Sequence, residues 1–85
     1  MSNATVFISI SLKLEITWNV ANKIADGINA QTEYFAFPSP NTIDADMGYR
    51  INIQVPKNIS EDSGEMLLLG GIIKEQEIIH LLNYT

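Results

Sequence analysis

The chain contains no cysteine. This absence excludes disulfide bonds, thiol nucleophiles, cysteine-ligated zinc sites and iron–sulfur clusters. The fold must therefore be held together by the packing of side chains in a hydrophobic core.

Positive charge is scarce as well. Five Lys and Arg residues stand against ten Asp and Glu residues, which gives a net charge of −5 at pH 7. The five cations are scattered singly, whereas a nucleic-acid-binding protein needs clustered cations to displace counterions from phosphates. We therefore expect no direct binding of DNA or RNA.

Charged residues of both signs make up 18% of the chain and hydrophobic residues 46%. Typical globular proteins have about 25% charged residues. This balance favours the burial of some apolar surface between subunits, and a two-fold homodimer is the expected form of such an assembly. We expect the partner to be a protein, either a second copy or another chain.

The sequence also lacks catalytic and cofactor-binding motifs. It contains no Walker motif and no Gly-x-Gly-x-x-Gly. The single histidine, His80, lies near the end of a predicted helix, where a structural role is expected. Asp44 and Asp46 could offer oxygens to a divalent cation, but too few further ligands follow them, so we interpret this segment as a solvated turn. The prediction is a non-enzymatic protein with no metal and no cofactor.

Long hydrophobic runs are absent. The longest, Met66 to Ile73, is far shorter than the roughly 20 residues of a membrane helix. The first residues lack the continuous apolar stretch of a signal peptide. We expect a cytoplasmic protein with one domain over residues 1–85, of which 1–5 form a flexible N-terminus.

What the sequence does have is a long alternation of apolar and polar residues. From Val6 to Trp18 every even-numbered residue is apolar, and every odd-numbered residue except Phe7 is polar. A period of two predicts a β-strand with one buried face. The segment from Tyr49 to Val55 alternates in the same way and predicts a second strand, ended by Pro56.

A third, short strand is predicted between these two. Glu33 to Phe37 is extended and aromatic, and we expect Pro38 to stop it because proline removes a backbone donor.

A helical period follows the first strand. Thr17 or Asn19 can cap a helix over residues 20–29, and its apolar residues recur three and four apart. The predicted buried residues of this helix are Val20, Ala21, Ile24, Ala25 and Ile28.

The last third of the chain predicts two helices. Ser60, Glu61 and Asp62 form a helix start, and Asp62 with Glu65 repeats that signal. Gly70-Gly71 is expected to separate this helix from a second one over residues 73–83, because two glycines inside one helix cost about 2 kcal/mol relative to alanines. A strand over residues 66–69 is the alternative. In the last helix we expect Ile78, Ile79, Leu81 and Leu82 to pack, and Lys74, Glu75 and Glu77 to be exposed.

The segment from Leu69 to Ile78 resembles the Gly-Ile-Ile turn and following acidic residues of the short helical hairpins called SHOCT domains. It covers a small part of the chain and lacks the usual threonine at the turn. The resemblance implies a helical hairpin that serves association.

Together these elements predict a small two-layer α+β domain in the order β-α-β-β-α-α. Its mainly antiparallel sheet is covered by helices on one face.

For function, we predict a protein-interaction or regulatory module that self-associates. The candidate interaction surface combines the apolar residue on the polar face of the first strand with its neighbours, the aromatic segment and the acidic loop. These residues are Phe7, Ser9, Ser11, Tyr34, Phe35, Phe37, Asp44 and Asp46.

Two other classes of function stay open. One is an inhibitor or nucleic-acid mimic of the kind phages use, with acidic residues that bind a basic groove. Its candidates are Asp44, Asp46, Glu61, Asp62 and Glu65. The other is a small-molecule-binding domain with an aromatic pocket near Tyr34 to Phe37.

Overall fold

A computed structural model describes residues 4–42 and 47–84, which form three strands and three helices. The elements are β1 (Thr5–Ser11), α1 (Trp18–Gln31), β2 (Phe35–Pro40), β3 (Tyr49–Pro56), α2 (Lys57–Ser60) and α3 (Ser63–Tyr84). The predicted α+β class and the order β-α-β-β-α-α are confirmed.

The three strands form one antiparallel sheet in the order β1-β3-β2. In the register, Ile53 of β3 lies between Ile8 of β1 and Ala36 of β2. Ile51, Ile53 and Val55 are fully buried on one face of the central strand. The helices cover that face, because α1 packs on β2 and β3 and α3 packs beside α1.

Helix α1 follows the prediction closely. All five apolar residues predicted to face the core are buried. The Thr17 hydroxyl accepts a hydrogen bond from the Val20 N–H at 3.3 Å, so Thr17 is the N-cap.

Strand β1 is shorter than its alternating pattern predicts. It ends at Ser11 and does not continue to Trp18, because a turn closed by the bond from Ile16 N–H to the Lys13 carbonyl follows. Leu12 and Ile16 are still buried, whereas Leu14 and Trp18 are exposed. The apolar alternation therefore marks a strand followed by a turn.

The prediction that Pro38 stops β2 is wrong, since the strand continues to Pro40. The backbone N–H and C=O of Ala36 point away from β3 and bond to Asn29. The backbone groups of Pro38 and Pro40 also point away from β3, because residues two apart in a strand direct their backbone groups to the same side. Their missing N–H groups therefore belong to the outer edge of the strand, where proline is tolerated.

Helix α3 runs through Gly70-Gly71 without a break. The predicted separation into two helices, the strand over residues 66–69 and the implied hairpin are all wrong. Leu69 and Ile73, on either side of the glycine pair, are both about 1% exposed. Burying two such side chains gains about 3–6 kcal/mol, which exceeds the roughly 2 kcal/mol cost of the two glycines.

The N-terminus of α3 agrees with the sequence, since Asp62 Oδ1 accepts hydrogen bonds from the Gly64 and Glu65 N–H groups. The faces of the helix agree only in part. Lys74 and Glu75 are exposed and Leu81 packs against the core, as predicted, but the predictions for Glu77, Ile78, Ile79 and Leu82 are wrong. Glu77 is buried, and Ile78, Ile79 and Leu82 are exposed, because the inner face follows Leu69, Ile73 and Glu77 at spacings of four. In the described part of the chain, no helix has both the length and the hydropathy to cross a bilayer.

Candidate interaction surface on the open sheet face

The face of the sheet that points away from the helices carries three phenylalanines and a set of polar side chains. Across the strands, Gln54 lies between Phe7 and Phe35, and Asn52 lies between Ser9 and Phe37. We call this surface the open face. Its residues are Thr5, Phe7, Ser9, Ser11, Phe35, Phe37, Ser39, Arg50, Asn52 and Gln54.

The three phenylalanines of the open face form one cluster, in which Phe37 contacts both of the others. The rings of Phe7 and Phe37, from the two outer strands, meet over β3 edge to face at a centroid distance of 5.6 Å. Phe35 stacks on Phe37, also at 5.6 Å. Phe7 and Phe35 remain 57% and 56% exposed. The cluster is a preformed aromatic patch, and the ring contacts restrict its side chains before any partner arrives.

Arg50 organises the polar half of the open face. Its Nε donates to the Ser9 hydroxyl at 2.7 Å, its Nη1 donates to the Ser11 hydroxyl at 2.8 Å, and its Nη2 donates to the Ser9 carbonyl at 3.0 Å. The guanidinium is therefore held flat against β1.

Asn52 and Gln54 extend this network beside the aromatic patch. Asn52 Nδ2 donates to the Ser39 hydroxyl at 2.8 Å, and Ser9 donates to Asn52 Oδ1 at 3.0 Å. Gln54 Nε2 donates to the Thr5 hydroxyl at 2.9 Å. Since these groups already bond to each other, a partner that covers the face would leave few of them without a hydrogen bond.

The two outer strands differ at their free edges. On β2, Asn29 occupies the outward N–H and C=O of Ala36, and prolines follow. On β1, the Leu12 N–H donates to the Tyr49 carbonyl, and the Lys57 N–H donates to the Ala4 carbonyl at the other end. The even-numbered residues of β1 therefore direct their backbone groups toward β3. The backbone groups of Phe7 and its odd-numbered neighbours therefore point outward, beside the aromatic patch.

A shallow recess of about 390 Å³ lies at one end of the sheet. Tyr34 lines it and is directed toward the core side of β2, opposite to the open face. Burial raises the pKa of Tyr34 above 10.0, and the charges of Glu65, Glu33 and Asp62 raise it further. The residues that line the recess are Thr5, Glu33, Tyr34, Phe35, Gln54 and Pro56.

The structure brings five of the eight predicted surface residues together. Phe7, Ser9, Ser11, Phe35 and Phe37 share the open face. Asp44 and Asp46 lie outside the described residues. Tyr34, the eighth, lines the recess and not the open face. Sequence reasoning did not single out Arg50, although the polar alternation of β3 placed it on the same face.

The acidic candidates Asp62 and Glu65, at the start of α3, interact with other groups of the fold. Asp62 caps the helix, and Glu65 lies close enough to Tyr34 to raise its pKa. The residues that flank the undescribed acidic segment lie at the opposite end of β3 from Glu61, since Asn41 bonds to Gly48 there. An eight-residue strand spans roughly 26 Å, so these flanking residues are far from Glu61.

In the described part of the chain, no group of three or more His, Asp and Glu side chains is placed to hold a metal ion. Comparison with protein-family models, curated proteins and solved structures finds no match.

Proposed function

We propose that this protein is a non-enzymatic interaction module that binds a protein partner through the aromatic patch of its open face. The observation that carries the proposal is the contact of Phe7, Phe35 and Phe37 on a sheet face that the helices leave uncovered. Exposed apolar patches with a polar rim are typical of interaction sites, and aromatic anchors dominate their energetics.

The shape of the open face and the neighbouring strand edge support a protein partner over a small molecule. Small-molecule sites are concave and enclose most of the ligand, whereas this patch lies on the surface of a sheet beside a shallow recess. The outer edge of β1 next to Phe7 offers outward backbone groups to an extended segment of a partner, apart from the Ser9 carbonyl, which accepts from Arg50.

The proposal includes self-association, supported by the 46% hydrophobic content and by the exposed apolar side chains of the domain. Light scattering on a size-exclusion column tests this part, and a monomer at every concentration would contradict it. The cytoplasmic location stays a prediction.

The patch is tested with a photoreactive phenylalanine analogue placed at position 35, and at position 14 as a control, in cells that produce the protein. Leu14 is an exposed apolar residue in the connection between β1 and α1. We expect cross-links to a discrete partner from position 35 and none from position 14.

The binding affinity of the purified partner is then measured by calorimetry for the natural chain and for three variants. Phe7→Ser and Phe35→Ser should each weaken binding about tenfold or more, and Leu14→Ser should bind like the natural chain. Equal affinity for all four proteins would contradict the proposal. A thermal-shift screen tests the alternative function, a small-molecule-binding domain. A compound that stabilises the natural chain but not Phe35→Ser would identify a small-molecule site.

A further inference from the structure

Helix α3 is apolar on the side that faces away from α1. Leu67, Ile78 and Leu82 are 78%, 52% and 69% exposed, although the opposite side of the helix is buried in the core. We call the central line of this side the outer ridge. It consists of Leu67, Gly71, Ile78 and Leu82, with Leu68 and Ile79 beside it.

The packing of the described residues does not account for the outer ridge. A helix with apolar residues on two opposite sides is typical of one that is covered on both of them. Glycine is the least favourable residue after proline in a helix interior. A Cβ atom at Gly70 or Gly71 would meet no atom within 4 Å in the described part of the chain. The packing of the described chain therefore does not require glycine at either position. A second helix that packs closely on α3 would make use of the absence of side chains there.

The spacing along the outer ridge suits helix pairing. Leu67 and Ile78 are eleven residues apart, as are Gly71 and Leu82. Eleven residues complete about three turns of α-helix, so these four positions stay in line along an almost straight axis.

The charges on this side of α3 are complementary to a second copy. Lys74 and Glu75 are the charged residues exposed there among the described residues of α3. They are consecutive, about 100° apart around the axis, and lie on opposite flanks of the outer ridge. In a parallel pair related by a two-fold axis, the left flank of one helix meets the right flank of its partner at the same height. Lys74 then faces the partner's Glu75, and Glu75 faces the partner's Lys74.

An antiparallel pair in register would do the opposite. It brings like flanks together, so that Lys74 would lie beside the partner's Lys74 and Glu75 beside the partner's Glu75. Like charges across an interface are repulsive, and this asymmetry selects the parallel arrangement.

We infer that a second copy of this chain docks on the outer ridge, so that two α3 helices form a parallel, two-fold pair with reciprocal Lys74–Glu75 contacts. The Gly71 positions of the two chains meet and allow the backbones to approach closely. The inference rests on the self-association in the proposed function and assigns that association to α3, leaving the open face free for a different partner.

A charge exchange tests the contact. Dimer dissociation constants are measured by sedimentation velocity for the natural chain, Lys74→Glu, Glu75→Lys and the double variant Lys74→Glu/Glu75→Lys. We expect each single variant to weaken the dimer at least about tenfold, because it creates two like-charge contacts. The double variant should restore the dimer to within about threefold of the natural value.

Lys57→Glu and Glu61→Lys are matched controls, since Lys57 begins α2, Glu61 follows its end, both are exposed, and the substitutions change net charge by the same amounts. They should dimerise like the natural chain. Far-UV circular dichroism with thermal melting verifies that every variant is folded. A single variant that dimerises normally, a double variant that stays weak, or a control that weakens equally overturns the inference.

Because the chain has no cysteine, single-cysteine variants report the orientation. In a parallel pair, Leu67→Cys and Leu82→Cys each form a disulfide-linked dimer with a second copy of the same variant. Cross-linking only in a mixture of the two variants would show an antiparallel pair and overturn the assignment. A natural chain that is monomeric throughout the dilution series overturns both this inference and the self-association proposal, without affecting partner binding at the open face.

Discussion

The side-chain amide of Asn29 forms two hydrogen bonds with the backbone of Ala36, accepting from its N–H at 2.7 Å and donating to its C=O at 3.0 Å. A side chain of α1 thus takes the place of a neighbouring strand at the outer edge of β2. Unpaired strand edges invite pairing with other chains. The bond pair closes this edge and ties α1 to the sheet.

Replacing Asn29 with Ala should lower the free energy of unfolding by about 1 kcal/mol, since two hydrogen bonds are lost and the better helix propensity of Ala offsets part of that loss. Urea titration measures the change, and faster hydrogen exchange at the Ala36 N–H locates it. Asn29→Asp keeps the acceptor but places a carboxylate oxygen against the Ala36 carbonyl and a negative charge in the last turn of α1, so it should lose at least as much. Asn22→Ala is the matched control, because among the described residues the Asn22 amide bonds to Trp18 of the same helix and to no strand. An equal loss for both alanine variants would contradict this role of Asn29.

The buried carboxylate of Glu77 accepts a hydrogen bond from the Lys13 N–H at 2.7 Å. Glu77→Ala should lower the free energy of unfolding by about 1–3 kcal/mol, because the backbone donor is left without its partner. Glu77→Gln keeps an acceptor oxygen and should lose less. Glu15→Ala, at an exposed position in the connection between β1 and α1, should change stability by no more than about 0.5 kcal/mol. Urea unfolding compares the three variants, and a stable Glu77→Ala would show that the bond contributes little.

The raised pKa of Tyr34 predicts a loss of stability at alkaline pH. An unfolded tyrosine ionises near pH 10, whereas the folded one holds its proton to higher pH, so the contribution is complete below about pH 10 and is lost as the pH rises through the folded pKa.

Unfolding free energies measured from about pH 9 to about pH 11 should therefore fall less steeply for Tyr34→Phe than for the natural chain. Glu65→Gln, which removes the largest of the three carboxylate effects, should be intermediate. Identical pH dependence for the natural chain and Tyr34→Phe would contradict the raised pKa of this phenol.

Local patterns predicted α1 and narrowed its cap to Thr17 or Asn19, because both depend on residues close together in the chain; the structure shows Thr17 as the cap. The same holds for β3, whose alternation is uninterrupted. The extent of β1 could not be predicted, since Leu12 and Ile16 are buried through a turn that continues the apolar alternation without a strand. The continuation of β2 through Pro38 depended on the direction of its backbone groups, which only the pairing with β3 sets.

By itself, then, the sequence determined the α+β class, the order of the elements and the face of α1 that is buried, because side-chain periodicity fixes these locally. Tertiary structure alone decided the contact of Phe7 with Phe37 over β3, since they are thirty residues apart in sequence and belong to the two outer strands. It also decided that α3 continues through its glycines and buries Glu77 while exposing Ile78. The burial of Leu69 and Ile73 against α1 outweighs the local preference of two glycines, and the position of α1 sets which side of α3 faces solvent.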